Sequence, residues 1–150
     1  SEMARLLEAV DFAARKHKEQ RRKDPEGTPY INHPIVEDTD TTFSEIEEWF
    51  GADVRRVVEE VTDDKTLPKM ERKRLQIERA PVCSRRAKLV KLADKLYNLR
   101  DLNRCTPRGW SAERVQEYFQ WAALVVSGLR GTSEALEGAL QRLFEQRGVA

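Results

Sequence analysis

Leu89, Leu92, Leu96 and Leu99 recur at spacings of three and four through the segment RRAKLVKLADKLYNLRDL, residues 85–102. At about 100° per residue these side chains line one stripe of an α-helix. Val90, Ala93 and Tyr97 widen the stripe, and no proline or glycine interrupts it. A helix of this kind has to bury its apolar stripe against other elements. No stretch of the chain alternates apolar and polar residues with the period of two that a half-buried strand requires, so those partners are expected to be helices. The expected fold class is all-α, an irregular helical bundle.

The other segments fit the same class. Leu6, Leu7, Val10, Ala13 and Ala14 predict an amphipathic helix within the first twenty residues. Residues 21–34, RRKDPEGTPYINHP, collect Pro25, Gly27, Pro29 and Pro34 and read as a loop. Ser44 and Glu47 match a capping box ahead of Ile46, Trp49 and Phe50, which predicts a short helix ending near Gly51. Val54, Val57, Val58 and Val61 predict the next helix. A charged helix over 70–80, anchored by Leu75 and Ile77, is ended by Pro81. Two further amphipathic helices are expected over 112–129 and 133–146, separated by Gly131 and Thr132. No repeat or shift in composition divides the 150 residues, so one domain over 1–150 is expected.

Composition excludes several classes. With Lys+Arg 27 against Asp+Glu 26, the net charge of +1 gives no general field for a nucleic acid or an anionic membrane surface. No apolar run approaches the length of a membrane span. The first twenty residues resemble neither a secretory signal nor a transit peptide. Cys83 and Cys105 lack the spacing of a metal motif or a disulfide framework. A cytoplasmic, reducing setting is expected.

Four groups of residues could carry chemistry. Asp94 shares a polar edge of the leucine helix with Asn98 and Asp101; it is either a carboxylate held at the rim of the core or an exposed acid paired with a nearby base. His33, between Asn32 and Pro34, is either a metal ligand aimed by the following proline or a loop residue. Glu37, Asp38 and Asp40 would serve a hard cation or a water molecule, or simply cap a helix. Arg21, Arg22 and Lys23 either hold phosphate oxygens or keep a loop soluble.

The loop RRKDPEGTPYINHP, then VEDTDTT, VEEVTDDKT and KLVKLADKLYNLRD, in this order, resemble the hydrolase domain of the RelA/SpoT family, closest to its small stand-alone animal members. The resemblance runs over essentially the whole chain. It implies an HD-type helical fold and a Mn²⁺-dependent phosphohydrolase that removes the 3′-pyrophosphate of (p)ppGpp; for the animal members it also implies dephosphorylation of NADPH. By resemblance His33 and Asp94 are metal ligands, and Glu37 and Asp38 position the attacking water. Arg22 and Lys23 lie near the substrate phosphates, with Asn98 beside the metal aspartate. Lys69, Arg114 and Tyr118 fall in the nucleotide pocket.

One departure bears on all of this. Where the family carries a helix, a connection and most of a second helix ending in a His-Asp pair, Ile35 is followed directly by Val36, and no His-Asp dipeptide occurs in the chain. The expectation is therefore an internally truncated HD domain with two of four metal ligands absent and weakened metal affinity. An uncovered apolar face would favour instability or self-association into a homo-oligomer. Two functions stay open: the hydrolase, or a non-catalytic relative that binds nucleotide or a partner chain.

Overall fold

A computed structural model describes residues 41–149, and every regular element among them is helical. The expected first helix, the loop over 21–34 and the Ile35–Val36 junction lie outside the described residues. The chain divides into two compact units, one through Asp64 and one from Lys65 onward.

In the first unit α1 (Phe43–Phe50) and α2 (Ala52–Val61) pack on each other. The helix start differs from the expected capping box. Thr42, not Ser44, is the cap: its Oγ1 accepts the Glu45 N–H at 3.2 Å, and Ser44 lies within the first turn. Gly51 joins the two helices with φ 93°, a left-handed conformation that glycine adopts without a Cβ penalty. Ile46, Phe50 and Val54 form the buried cluster, with Val58 packed against it. Trp49, expected on the apolar face, is half-exposed. Arg55 bridges the two helices through Glu47 at 2.7 Å and also pairs with Glu59 one turn along α2 at 2.7 Å.

The second unit contains α3 (Lys69–Arg79), α4 (Arg85–Arg104), α5 (Ala112–Ser127) and α6 (Glu134–Arg147). Helices α4, α5 and α6 pack pairwise, and α3 lies against α5. As expected from its charge, α3 lies on the surface, but its expected anchors Leu75 and Ile77 are only half-buried and it has no fully buried residue. Pro81 does not stop the chain abruptly; it sits in a single 3-10 turn, Ala80–Val82, between α3 and α4. That turn passes so close to the end of α5 that a Cβ added to Gly128 would stand 2.9 Å from the Ala80 Cβ. Leu92, Leu96, Leu99 and Leu102 of α4 are buried against Val115, Phe119, Ala122 and Val125 of α5 and Leu140 and Phe144 of α6 in one core. The predicted stripe is correct in its C-terminal half. Leu89 is partly exposed and Tyr97 is 60% exposed; among the described elements, α5 and α6 cover a narrower arc of α4 than its apolar residues occupy.

Arg147 ties the ends of three helices. Its guanidinium donates to Asn103 Oδ1 at 2.6 and 3.1 Å and lies 4.5 Å from the Phe119 ring centroid, while its carbonyl accepts from Gln116 Nε2 at 3.0 Å. At the start of α6, Ser133 Oγ accepts the Leu136 N–H, and the Glu137 carboxylate accepts the N–H groups of Gly131, Thr132 and Ser133 at 2.9, 3.1 and 2.9 Å. Burial raises the Glu137 pKa, but these three backbone donors outweigh it and leave the group below its ordinary 4.5. A carboxylate with a depressed folded-state pKa contributes stability that is present above its unfolded pKa and lost as pH falls through the folded value. Thermal melts from pH 7 to pH 3 should therefore show a loss below about pH 4.5 that is reduced in Glu137→Gln; identical pH profiles for the two proteins would remove this role.

Candidate functional site

The expected site residues within the described chain fall on one side of the second unit, built by α3, α4 and α5. Asp94 and Asn98 are one turn apart on α4, and Tyr118 comes from α5. Asn98 Nδ2 donates to Asp94 Oδ2 at 3.3 Å and to Tyr118 Oη at 3.4 Å, so one amide holds the Asp94 carboxylate on α4 and links α4 to α5. Asn98 is 1% exposed. The helical wheel had placed it on a polar edge, and the arrival of α5 turns that edge into an interior. Asp101, assigned to the same edge, pairs instead with Arg104 at the end of α4.

Asp94 itself remains open, its side chain 50% exposed. Its Oδ2 accepts from Asn98 and lies 3.4 Å from Lys95 Nζ, while Oδ1 takes no hydrogen bond from the described residues. A carboxylate held on one oxygen and open on the other suits a single ligand position of a divalent cation. No group of three or more His, Cys, Asp or Glu that could hold a metal gathers among the described residues. His33, Glu37, Asp38, Arg22 and Lys23 all lie outside the described residues.

Four residues that sequence reasoning did not single out complete the wall. Lys95 is only 4% exposed, and its ammonium lies 4.6 Å from the Trp121 ring centroid. Lys73, on α3, lies 5.0 Å from the same ring and 5.7 Å from that of Tyr118, and its carbonyl accepts the Trp121 indole N–H at 3.1 Å. Tyr118 stands between Trp121 and Trp110, with centroids at 5.3 and 6.1 Å. Arg114, exposed, stacks on Trp110 at 4.1 Å. Lys69 is also exposed, one turn before Lys73 on α3. The spacing 110, 114, 118, 121 follows one helical face and its N-terminal extension, the signal that would have found this wall. Burial, then the charges of Lys69, Arg114 and Lys95, push the Lys73 pKa down, with Glu117 opposing.

The arrangement offers stacking surfaces, cations and a carboxylate together, which suits a phosphorylated, ring-bearing ligand. A separate groove of about 780 Å³ runs between α5 and α6, lined by residues such as Leu124, Val126, Gln141 and Phe144. None of the expected site residues lines it.

Comparison with known proteins shows the family. A family profile described as "HD domain" matches residues 32–124. The chain is 66% identical to the human protein named guanosine-3′,5′-bis(diphosphate) 3′-pyrophosphohydrolase MESH1 over 175 aligned positions, which cover 99% of this chain and 98% of that protein. It is 50% identical to the protein of the same name from Drosophila melanogaster, over 97% of this chain and 96% of that one. A solved structure described as "A metazoan ortholog of SpoT hydrolyzes ppGpp and plays a role in starvation responses" superposes with a TM-score of 0.85 at 49% identity, covering 98% of this chain and 97% of that one. Among the described residues no helix is long and apolar enough to cross a membrane. The all-helical fold, the matched profile and these full-length relatives together show that the chain belongs to the HD-domain family, among its stand-alone animal SpoT homologues.

Proposed function

We propose that this chain is a guanosine-3′,5′-bis(diphosphate) 3′-pyrophosphohydrolase that works with a divalent metal, Mn²⁺ in this reading, in the cytoplasm. The observation that carries it is the row Asp94–Asn98–Tyr118, joined by the Asn98 amide at 3.3 and 3.4 Å and walled by Lys73, Lys95 and Trp121. The names of the full-length relatives support the same substrate.

In this reading His33 and Asp94 hold the metal, and Glu37 and Asp38 orient the attacking water. A bound divalent ion lowers the pKa of a water molecule and offsets charge on phosphoryl oxygens. Asn98 fixes the Asp94 carboxylate while leaving Oδ1 open. Water attacks the phosphorus attached to the ribose 3′ oxygen. That P–O bond breaks, the 3′ oxygen takes a proton, and pyrophosphate and GDP leave. Arg22, Lys23, Lys69 and Arg114 receive substrate phosphates by charge-assisted hydrogen bonds, and Tyr118 with its neighbouring indoles packs the rest of the nucleotide. NADPH, another phosphorylated nucleotide, is the second substrate of this reading.

A second reading, binding without turnover, is favoured by one observation: no His-Asp dipeptide exists in the chain. The alignment with the human relative has 175 positions, 25 more than the 150 residues available, so at least that many face no residue here. We place this gap at Ile35–Val36, making the chain an internally truncated single domain that self-associates through its uncovered apolar face. Incubating the chain with ppGpp and Mn²⁺, with an EDTA control, separates the two readings. Metal-dependent release of pyrophosphate is the expected result. A binding isotherm for ppGpp without release would establish the second reading instead.

A further inference from the structure

Lys73 has no role in the site as built from the sequence, yet its environment is unusual for a lysine. It is half-buried in the second unit, and no carboxylate lies within ion-pair distance among the described residues. The charged groups that act on it come from all three surrounding helices: Lys69 from its own α3, Lys95 from α4, and Arg114 and Glu117 from α5. Three of these four are cations. The ammonium is held over two rings, and the Lys73 carbonyl fixes Trp121 through its indole N–H.

Gathering partly desolvated cations is unfavourable unless an anion completes the arrangement. Among the described residues Asp94 stands beside Lys95, and Glu117 is the acidic residue that acts on Lys73, at longer range. Lys95 and Lys73 lie 4.6 and 5.0 Å from one indole centroid, so their ammonium groups are less than about 10 Å apart. Lys95 is committed to the Asp94 carboxylate. Lys73, without such a partner, faces the part of the wall made by Tyr118 and Trp121.

We propose that Lys73 is a phosphate-binding residue of the nucleotide site, taking the 5′-phosphates at the end of the nucleotide away from Asp94. This rests on the nucleotide-binding reading above and deepens it. Phosphate oxygens supply the close anionic partner that Lys73 lacks among the described residues, while the adjacent rings pack the ribose or base. The lowered Lys73 pKa accords with this, since an arriving polyanion reverses the repulsion from its neighbours.

The test is calorimetric titration of the full chain with GDP and with ppGpp, comparing wild type, Lys73→Met and Lys73→Arg, with a thermal melt of each. Met keeps the aliphatic stem and removes the charge; Arg keeps the charge. Affinity for both nucleotides should fall about tenfold in Lys73→Met at unchanged melting temperature and return toward wild type in Lys73→Arg. If Lys73→Met binds both nucleotides as tightly as wild type, or if its weaker binding comes with a lower melting temperature and Arg does not restore it, Lys73 is only a packing residue and the proposal fails. If wild type itself binds neither nucleotide, the reading of the site falls as well. The two failures are thus separate.

Discussion

Asp94→Ala should reduce Mn²⁺-dependent pyrophosphate release from ppGpp by at least about 100-fold, because even changes to groups that merely support a metal ligand cost 10–100-fold in metal affinity. Its melting temperature should stay close to wild type, since the side chain is 50% exposed and outside the core. Asp94→Asn sharpens the test: it preserves size and a hydrogen-bonding oxygen while removing the charge that a divalent cation needs. Both variants are compared by Mn²⁺ titration and by pyrophosphate release. Full activity in Asp94→Ala would remove Asp94 from the metal site and the catalytic reading with it.

Phe119→Ala should have the largest effect on stability, a loss of about 3–5 kcal/mol, the usual range for removing a fully buried aromatic side chain. Phe119 has no exposed surface and packs in the core of α4, α5 and α6. It also carries the Arg147 guanidinium 4.5 Å from its ring centroid, so truncation loosens the tie among three helix ends. Because Tyr118 precedes it on α5, the site should loosen with the core. Urea midpoints of the two proteins measure the effect; a difference below about 1 kcal/mol would mean that the ring is not the centre of this packing.

The helices were legible in the sequence because their apolar spacing is local. Leu92, Leu96 and Leu99 announced α4, and the valines of α2 announced that helix. What a single wheel cannot show is the arc a neighbour covers. Tyr97 was assigned to the core and points to solvent, whereas Asn98 was assigned to an edge and is buried beneath Tyr118. The helix cap moved from Ser44 to Thr42 for a similar reason: both residue types cap well, and only the backbone decides which is extended.

The site was legible in part. Asp94, Asn98 and Tyr118 were named from the resemblance and are joined by hydrogen bonds. Lys69 and Arg114, also named, lie on the same side, exposed. Lys73, Lys95, Trp110 and Trp121 were missed, although their spacing carried a signal. A lysine reads as solvated in a sequence, and nothing local to Lys95 announces that packing will bury it against an indole. His33, Glu37, Asp38, Arg22 and Lys23 remain assignments of the resemblance.

Trp121 has a property beyond holding the wall together. Two ammonium groups stand within 5.0 Å of its ring centroid, and its N–H is held by a backbone carbonyl. The light emitted by an indole responds to the electric field across it, and here two lysine ammonium groups contribute to that field. Trp49 lies in the other unit, and Trp110 stacks with Arg114 and stands 6.1 Å from the Tyr118 ring. If the wall takes a polyanion as proposed, its arrival becomes an optical event there, and the protein carries its own gauge of occupancy without any added dye.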